Sequence, residues 1–225
     1  MCIRNLHRVV ASALFFTAIA ATAPAQTDIA LSLYGAFTGL TSGNGVTQSP
    51  ANQAGGMVEL RHIVNPVVGY EATYSFNRAN QSYSGTPPSV CGAVCAQNVA
   101  ASVPSNAHEV SGAWVTSLRI VHLTPFALAG GGILFNVPSV GSVKTISCPV
   151  EGNSPCITFN TPTSNSTKAI FVYGAGLDWG LLPHLGLRLQ YRGNVYKAPD
   201  LIGAFQSTNS FTHTAEPMIG AYFRF

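Results

Sequence analysis

The dominant pattern along the chain is strict alternation of apolar and polar positions. From Leu185 the residues read Leu, Gly, Leu, Arg, Leu, Gln, Tyr, Arg, which puts Leu185, Leu187, Leu189 and Tyr191 on one side and Gly186, Arg188, Gln190 and Arg192 on the other. A strand sends successive side chains to opposite faces, so a period of two predicts a strand with one greasy and one polar face. The same alternation recurs. Val58 and Leu60 oppose Glu59 and Arg61. Val68, Tyr70, Ala72, Tyr74 and Phe76 oppose Gly69, Glu71, Thr73, Ser75 and Asn77. Val110, Trp114, Leu118 and Ile120 oppose Glu109, Ser111, Ser117 and Arg119. Ala169, Phe171, Tyr173, Ala175, Leu177 and Trp179 oppose Gly174, Gly176 and Asp178. At the C-terminus Ile219, Ala221, Phe223 and Phe225 oppose Glu216, Gly220, Tyr222 and Arg224. Two further strands read less clearly. Ile29–Phe37 is mild and small-sided, and Phe126–Val137 carries Gly130-Gly131-Gly132, the mark of a bend or a crowded interior spot.

Punctuation supplies a topology. Short breaks carrying proline fall at Asn65-Pro66, Thr124-Pro125 and Pro183-His184, the prolines 59 and 58 residues apart. Between them lie long segments rich in Ser, Gly, Asn, Thr and Pro: Thr38–Ala54, Ser84–Ala107, Pro138–Thr167 and Ala198–Phe211. Three tight and four long connections make seven, hence eight antiparallel strands with short turns at one end and long loops at the other.

Composition decides what surrounds them. Of 225 residues 47% are apolar and 8% charged, whereas a soluble domain is roughly 25% charged. The first 25 residues read as an export signal: Arg4, His7 and Arg8, then an apolar run from Val9 to Ala20, then Ala23-Pro24-Ala25 at the expected cleavage site. Residues 26–225 then form a single domain with nine basic and eight acidic side chains, too balanced for a nucleic-acid partner. Beyond residue 26 no apolar run reaches the ~18 residues of a spanning helix. A closed barrel is the other way to satisfy every backbone amide in lipid. The expected fold is therefore an all-β, eight-stranded transmembrane barrel in the outer membrane of a Gram-negative bacterium. Eight strands leave a bore that side chains can fill. Five basic residues (Arg61, Arg119, Arg188, Arg192, Arg224) and five acidic ones (Glu59, Glu71, Glu109, Asp178, Glu216) are expected to pair there as a lumen charge network.

The alternating strands and the terminal Ala221-Tyr222-Phe223-Arg224-Phe225 resemble the small outer-membrane barrels of the OmpA-type and opacity-protein-like group. The resemblance implies that Tyr222, Phe223 and Phe225 form a C-terminal signal read by the barrel-assembly machinery, and that outer-membrane lipid is the surrounding medium. Unlike the longer OmpA-type proteins, the chain is expected to end at the barrel, without a periplasmic domain.

Cys91, Cys95, Cys148 and Cys156 all fall in the two longest loops, and export favours their oxidation. Local pairs Cys91–Cys95 and Cys148–Cys156 are the preferred pairing, with bridges between the loops as the alternative. No metal site or cofactor is expected. Some eight-stranded barrels act on lipid A through a His-x-Ser pair, but no histidine here is followed two residues later by serine; His122-Leu123-Thr124 comes nearest. His213 and Glu216, near the outer end of the last strand, fall on opposite faces. No catalytic residues are assigned. The expected role is structural or surface contact, adhesion or partner binding, through loops facing the medium, with the surface ligand unidentified. A narrow channel is the alternative, then a lipid A-modifying enzyme; a soluble ligand-binding barrel would invert the faces. One expectation concerns parity: arginine at Leu187 or Leu189 should harm insertion, and Gly186→Ser should be milder.

Overall fold

The computed structural model describes residues 26–65, 67–85, 97–149 and 155–225. The expected signal peptide lies outside them, as do Pro66, Cys91 and Cys95. The strands, in chain order, are β1 Gln26–Thr38, β2 Thr41–Gly43, β3 Val46–Pro50, β4 Gln53–Ile63, β5 Val68–Arg78, β6 Gln81–Gly85, β7 Gln97–Val103, β8 Ser105–Ser117, β9 Leu123–Pro138, β10 Ser142–Pro149, β11 Ile157–Pro162, β12 Ser166–Gly180, β13 Leu185–Lys197 and β14 Phe211–Arg224.

Eight of them close an antiparallel barrel in the order β1-β14-β13-β12-β9-β8-β5-β4. Closure pairs the first strand with the last, Ile29 opposite Phe223 and Leu33 opposite Ile219, so no barrel edge is left open. Leu31, Leu33, Trp114, Phe171, Leu189, Ile219 and Phe223 all face outward at 50% exposure or more, while Asp28, Glu59, Arg61, Glu71, Asp178, Arg188 and Arg192 are sealed inside. This is the inverse of a soluble barrel. Only lipid makes it stable, since an apolar belt of this extent in water opposes folding. Among the described residues no helix is long enough to cross a membrane, and the crossing is made by strands.

The alternation assigned from sequence holds on β4, β5, β8, β12, β13 and β14. Strand β9 lacks a clear polar face because both its faces are apolar. Its inward residues Phe126, Leu128 and Leu134 pack with Val115, Ile170 and Val172 into an apolar stripe along one interior wall. The glycines there resolve as crowding. A side chain on Gly130 would overlap the Gly112 carbonyl, and one on Gly132 the Val110 carbonyl. Gly186 is crowded in the same way, so Gly186→Ser carries a packing cost that parity alone does not reveal. Gly186 lies beneath the Tyr222 ring and beside the Trp179 carbonyl, with no room for a Cβ.

Two expectations about connections are corrected. Thr124-Pro125 is not a turn: it lies in β9, paired with Asp178 and Leu177. The reversal comes earlier, at Val121-His122, bracketed by the Ile120–Leu123 bridge, with Val121 at φ 56°. The four long segments are not simply loops. Three barrel hairpins continue upward as β2–β3, β6–β7 and β10–β11, which join into a second six-stranded sheet in the order β11-β10-β7-β6-β3-β2. The fourth hairpin, β13–β14, does not extend. Its connecting segment, residues 198–210, folds across the gap that this leaves.

Candidate functional site

The bore is filled in two tiers. In the lower tier Arg61 and Arg188 meet four carboxylates. The register brings Arg61 opposite Glu71 and Arg188 opposite Asp178, each pair joined across a tight turn. Arg61 donates through Nε to Glu71 Oε2 at 2.8 Å and through Nη1 to Asp178 Oδ2 at 3.2 Å, and its guanidinium lies 3.9 Å above the Phe126 ring. Arg188 donates to Asp178 Oδ1 at 2.7 Å and Oδ2 at 3.0 Å, to Glu59 Oε2 at 2.7 Å and to Asp28 Oδ1 at 3.0 Å. Ser32 Oγ donates to the other Glu59 oxygen. Ion pairs sealed from water stay stable only when further hydrogen bonds satisfy both partners, and this tier largely meets that condition.

The upper tier centres on Arg192. It donates to Glu109 Oε1 at 2.5 Å, to Thr73 Oγ1 at 3.0 Å and to Ser111 Oγ. Asn194 Nδ2 bridges Glu109 Oε2 and Glu216 Oε1. Glu216 is the register partner of Arg192, yet the guanidinium reaches across the lumen to Glu109 instead.

The expected balance of five against five is corrected. Arg119 follows the end of β8, exposed at the short-turn mouth and outside the network. Arg224 sits at that mouth too, partly exposed, its guanidinium 3.9 Å from Asp28. Asp28 belongs to the network although it lies one residue before the alternation visible from Ile29; extending the parity of Ile29, Leu31 and Leu33 back one residue turns it inward. The interior thus holds six carboxyl groups (Asp28, Glu59, Glu71, Glu109, Asp178, Glu216) against three sealed guanidinia and Arg224 at the rim.

Above the barrel the second sheet encloses an apolar core of Val46, Tyr83, Val99, Val103, Val143, Leu201, Ile202 and Phe205. The last three come from the 198–210 strap. The strap is stitched to both sides of the gap: Ser164 N–H donates to the Leu201 carbonyl and Thr163 bridges Ile202 on one side, while Asn44 donates to the Ser207 carbonyl and Ser210 to the Ser42 carbonyl on the other. Tyr83 and Gln48 both donate to the Pro199 carbonyl, and Tyr83 accepts from Leu201 N–H. Burial pushes the Tyr83 phenol well above its ordinary pKa, so it remains a neutral donor and acceptor at any physiological pH. Lys168 anchors the strap through Asp200 at 2.8 Å. Cys148 and Cys156 are disulfide-bonded as expected, tying β10 to β11.

The histidines are held at the lipid-facing wall or the strand ends. His108 bonds Tyr74, His213 bonds Tyr173, His62 bonds Thr27, and His184 bonds the Arg224 carbonyl. His213 and Glu216 face opposite ways, as parity requires. Of the terminal aromatic residues, Tyr222 points inward beneath Arg188 and Arg224, while Phe223 and Phe225 point outward with ring centres 6.4 Å apart.

No family model and no curated protein matches the chain. Solved structures do. The outer membrane protein OprG from Pseudomonas aeruginosa aligns with a TM-score of 0.53 at 9% identity, covering 89% of this chain and 95% of that one. Ail, the attachment invasion locus protein of Yersinia pestis, solved with the heparin analogue sucrose octasulfate, aligns at 0.45 and 16% identity over 90% and 100%. Neisserial surface protein A aligns at 0.44 and 10% over the same shares. At these identities the likeness concerns the fold, and the fold is that of the small outer-membrane barrels.

Proposed function

We propose that this protein is a non-catalytic outer-membrane barrel that holds a rigid extracellular platform for contact with a surface partner. The observation that carries the reading is the second sheet. A chain that needed only to span the membrane has no use for six extra strands with a buried core and a strap sealing it. Ordering these segments costs roughly 1–2 kcal/mol of backbone entropy per residue, and their apolar core and disulfide offset that cost. The outward face they hold is rich in neutral hydrogen-bonding groups, including Ser82, Ser84, Ser102, Asn98 and Asn160, with Lys144 among them. Such a face suits polar recognition. The filled bore argues against a solute path, and the histidines' partners favour interfacial anchoring over proton transfer.

The test compares cells displaying the full barrel with cells displaying one in which residues 41–50, 81–103, 142–162 and 198–210 are replaced by short turns, both verified as folded by heat-modifiable gel mobility. Retention on immobilised matrix proteins and glycosaminoglycans should be greater for the full barrel. Equal retention across the panel overturns the reading. Stepwise conductance from the full barrel in a planar bilayer would replace it with the channel alternative.

A further inference from the structure

Between the upper tier and the platform core lies a chamber of about 30 Å³. A cavity needs roughly 10–15 Å³ to hold one water, so there is room for about two water-sized occupants. Its walls carry Glu109, Glu216, Asn136, Asn194, Tyr196 and Thr214. Three of these present buried polar atoms with no protein partner: Glu216 Oε2, Asn194 Oδ1 and Asn136 Nδ2. All three residues are at least nine-tenths buried. An unpaired carboxylate oxygen and an unpaired amide oxygen, both buried and lining one narrow space, are costly unless something occupies it.

The charge narrows the choice of occupant. Glu109 and Glu216 face a single guanidinium, that of Arg192, and Glu109 takes it. Arg78 borders the chamber but is exposed. With both carboxyl groups ionised, Glu109, Glu216 and Arg192 together carry one negative charge more than positive, which either a proton on Glu216 or a cation in the chamber balances. The unpaired acceptors are two oxygens, supplemented by the Thr214 and Tyr196 hydroxyls. That donor set lacks the several carboxylates a calcium site uses and the nitrogen or sulfur ligands of transition metals. We propose that the chamber is a binding site for one small monovalent cation, of sodium or potassium size, held by Glu216 and Asn194, with a water accepting from Asn136 Nδ2.

The experiment uses the refolded barrel in detergent at constant ionic strength. Sodium or potassium chloride is compared with N-methylglucamine chloride, whose cation is too large for the chamber. A ligand that binds only the folded state raises the unfolding midpoint saturably. The expected shift is about 2–4 °C, abolished in Glu216→Gln, which keeps the shape and removes the charge. A midpoint independent of the cation in the unaltered protein overturns the proposal, and so does a shift that survives in Glu216→Gln. Should that variant fail to refold, rubidium-soaked crystals of the unaltered protein decide the matter. Anomalous density between Glu216 and Asn194 supports the site, and its absence overturns it.

Discussion

Arg188 is the side chain on which the interior most depends, and Arg188→Met measures that dependence. Its guanidinium is fully sealed and donates four hydrogen bonds to three carboxylates, at 2.7–3.0 Å. Methionine fills much of the volume and supplies no charge. Removing one partner of a buried ion pair costs about 3–5 kcal/mol, because the other charge is left without compensation. Here three carboxylates lose a partner, although Asp178 retains Arg61 and Asp28 retains Arg224 at longer range. The loss should therefore be at least ~3–5 kcal/mol, a large share of a typical stability of about 5–15 kcal/mol. Urea titration of the barrel in phospholipid vesicles reads this directly. Trp114 and Trp179 both face lipid and report its loss by fluorescence. A second variant separates lost attraction from orphaned charge. Arg188→Met combined with Asp28→Asn and Glu59→Gln removes the stranded charges as well, and should recover much of the stability. A loss under about 1 kcal/mol for the single variant would refute the reasoning, as would a triple variant no more stable than the single one.

Leu189→Arg, on the outward face of β13, should cost about 2–4 kcal/mol in the same vesicle assay, whereas Leu189→Ile should change little. Leu201→Ala should loosen the strap, with a core-truncation cost of about 2–5 kcal/mol confined to the platform; hydrogen exchange should rise in β6, β7 and residues 198–210 while the barrel strands stay protected. Cys148→Ser with Cys156→Ser should speed proteolysis between those positions on intact cells and leave the heat-modifiable mobility of the barrel unchanged. Uniform exchange across both sheets in Leu201→Ala would mean that platform and barrel unfold as one unit.

Much of the barrel was legible because parity is a local property. The faces of β13 follow from Leu185 to Arg192 alone, and a hairpin joined by a tight turn fixes its own register. Arg61 with Glu71 and Asp178 with Arg188 are each ten residues apart for that reason. What lay beyond local reading required closure. Arg188 meets Glu59 across 129 residues and Asp28 across 160, and no periodicity encodes which inward side chains share a height in the bore. Arg119 lies outside the bore because it falls past the end of β8, in a turn where parity has no meaning.

The platform marks the same boundary. Its segments look like loops because Ser, Thr, Asn and Gly dominate them, and strands of three to eight residues gain stability only from neighbours that the fold supplies. Residue order alone specifies that strands cross the membrane, which side of each meets lipid, and that Arg and acidic groups share the interior. Which charges pair, that acids outnumber guanidinia inside, and that residues 198–210 seal an apolar core all depend on the closed fold. Alternation acts between adjacent residues, whereas pairing, charge count and sealing depend on distances set only when the barrel closes.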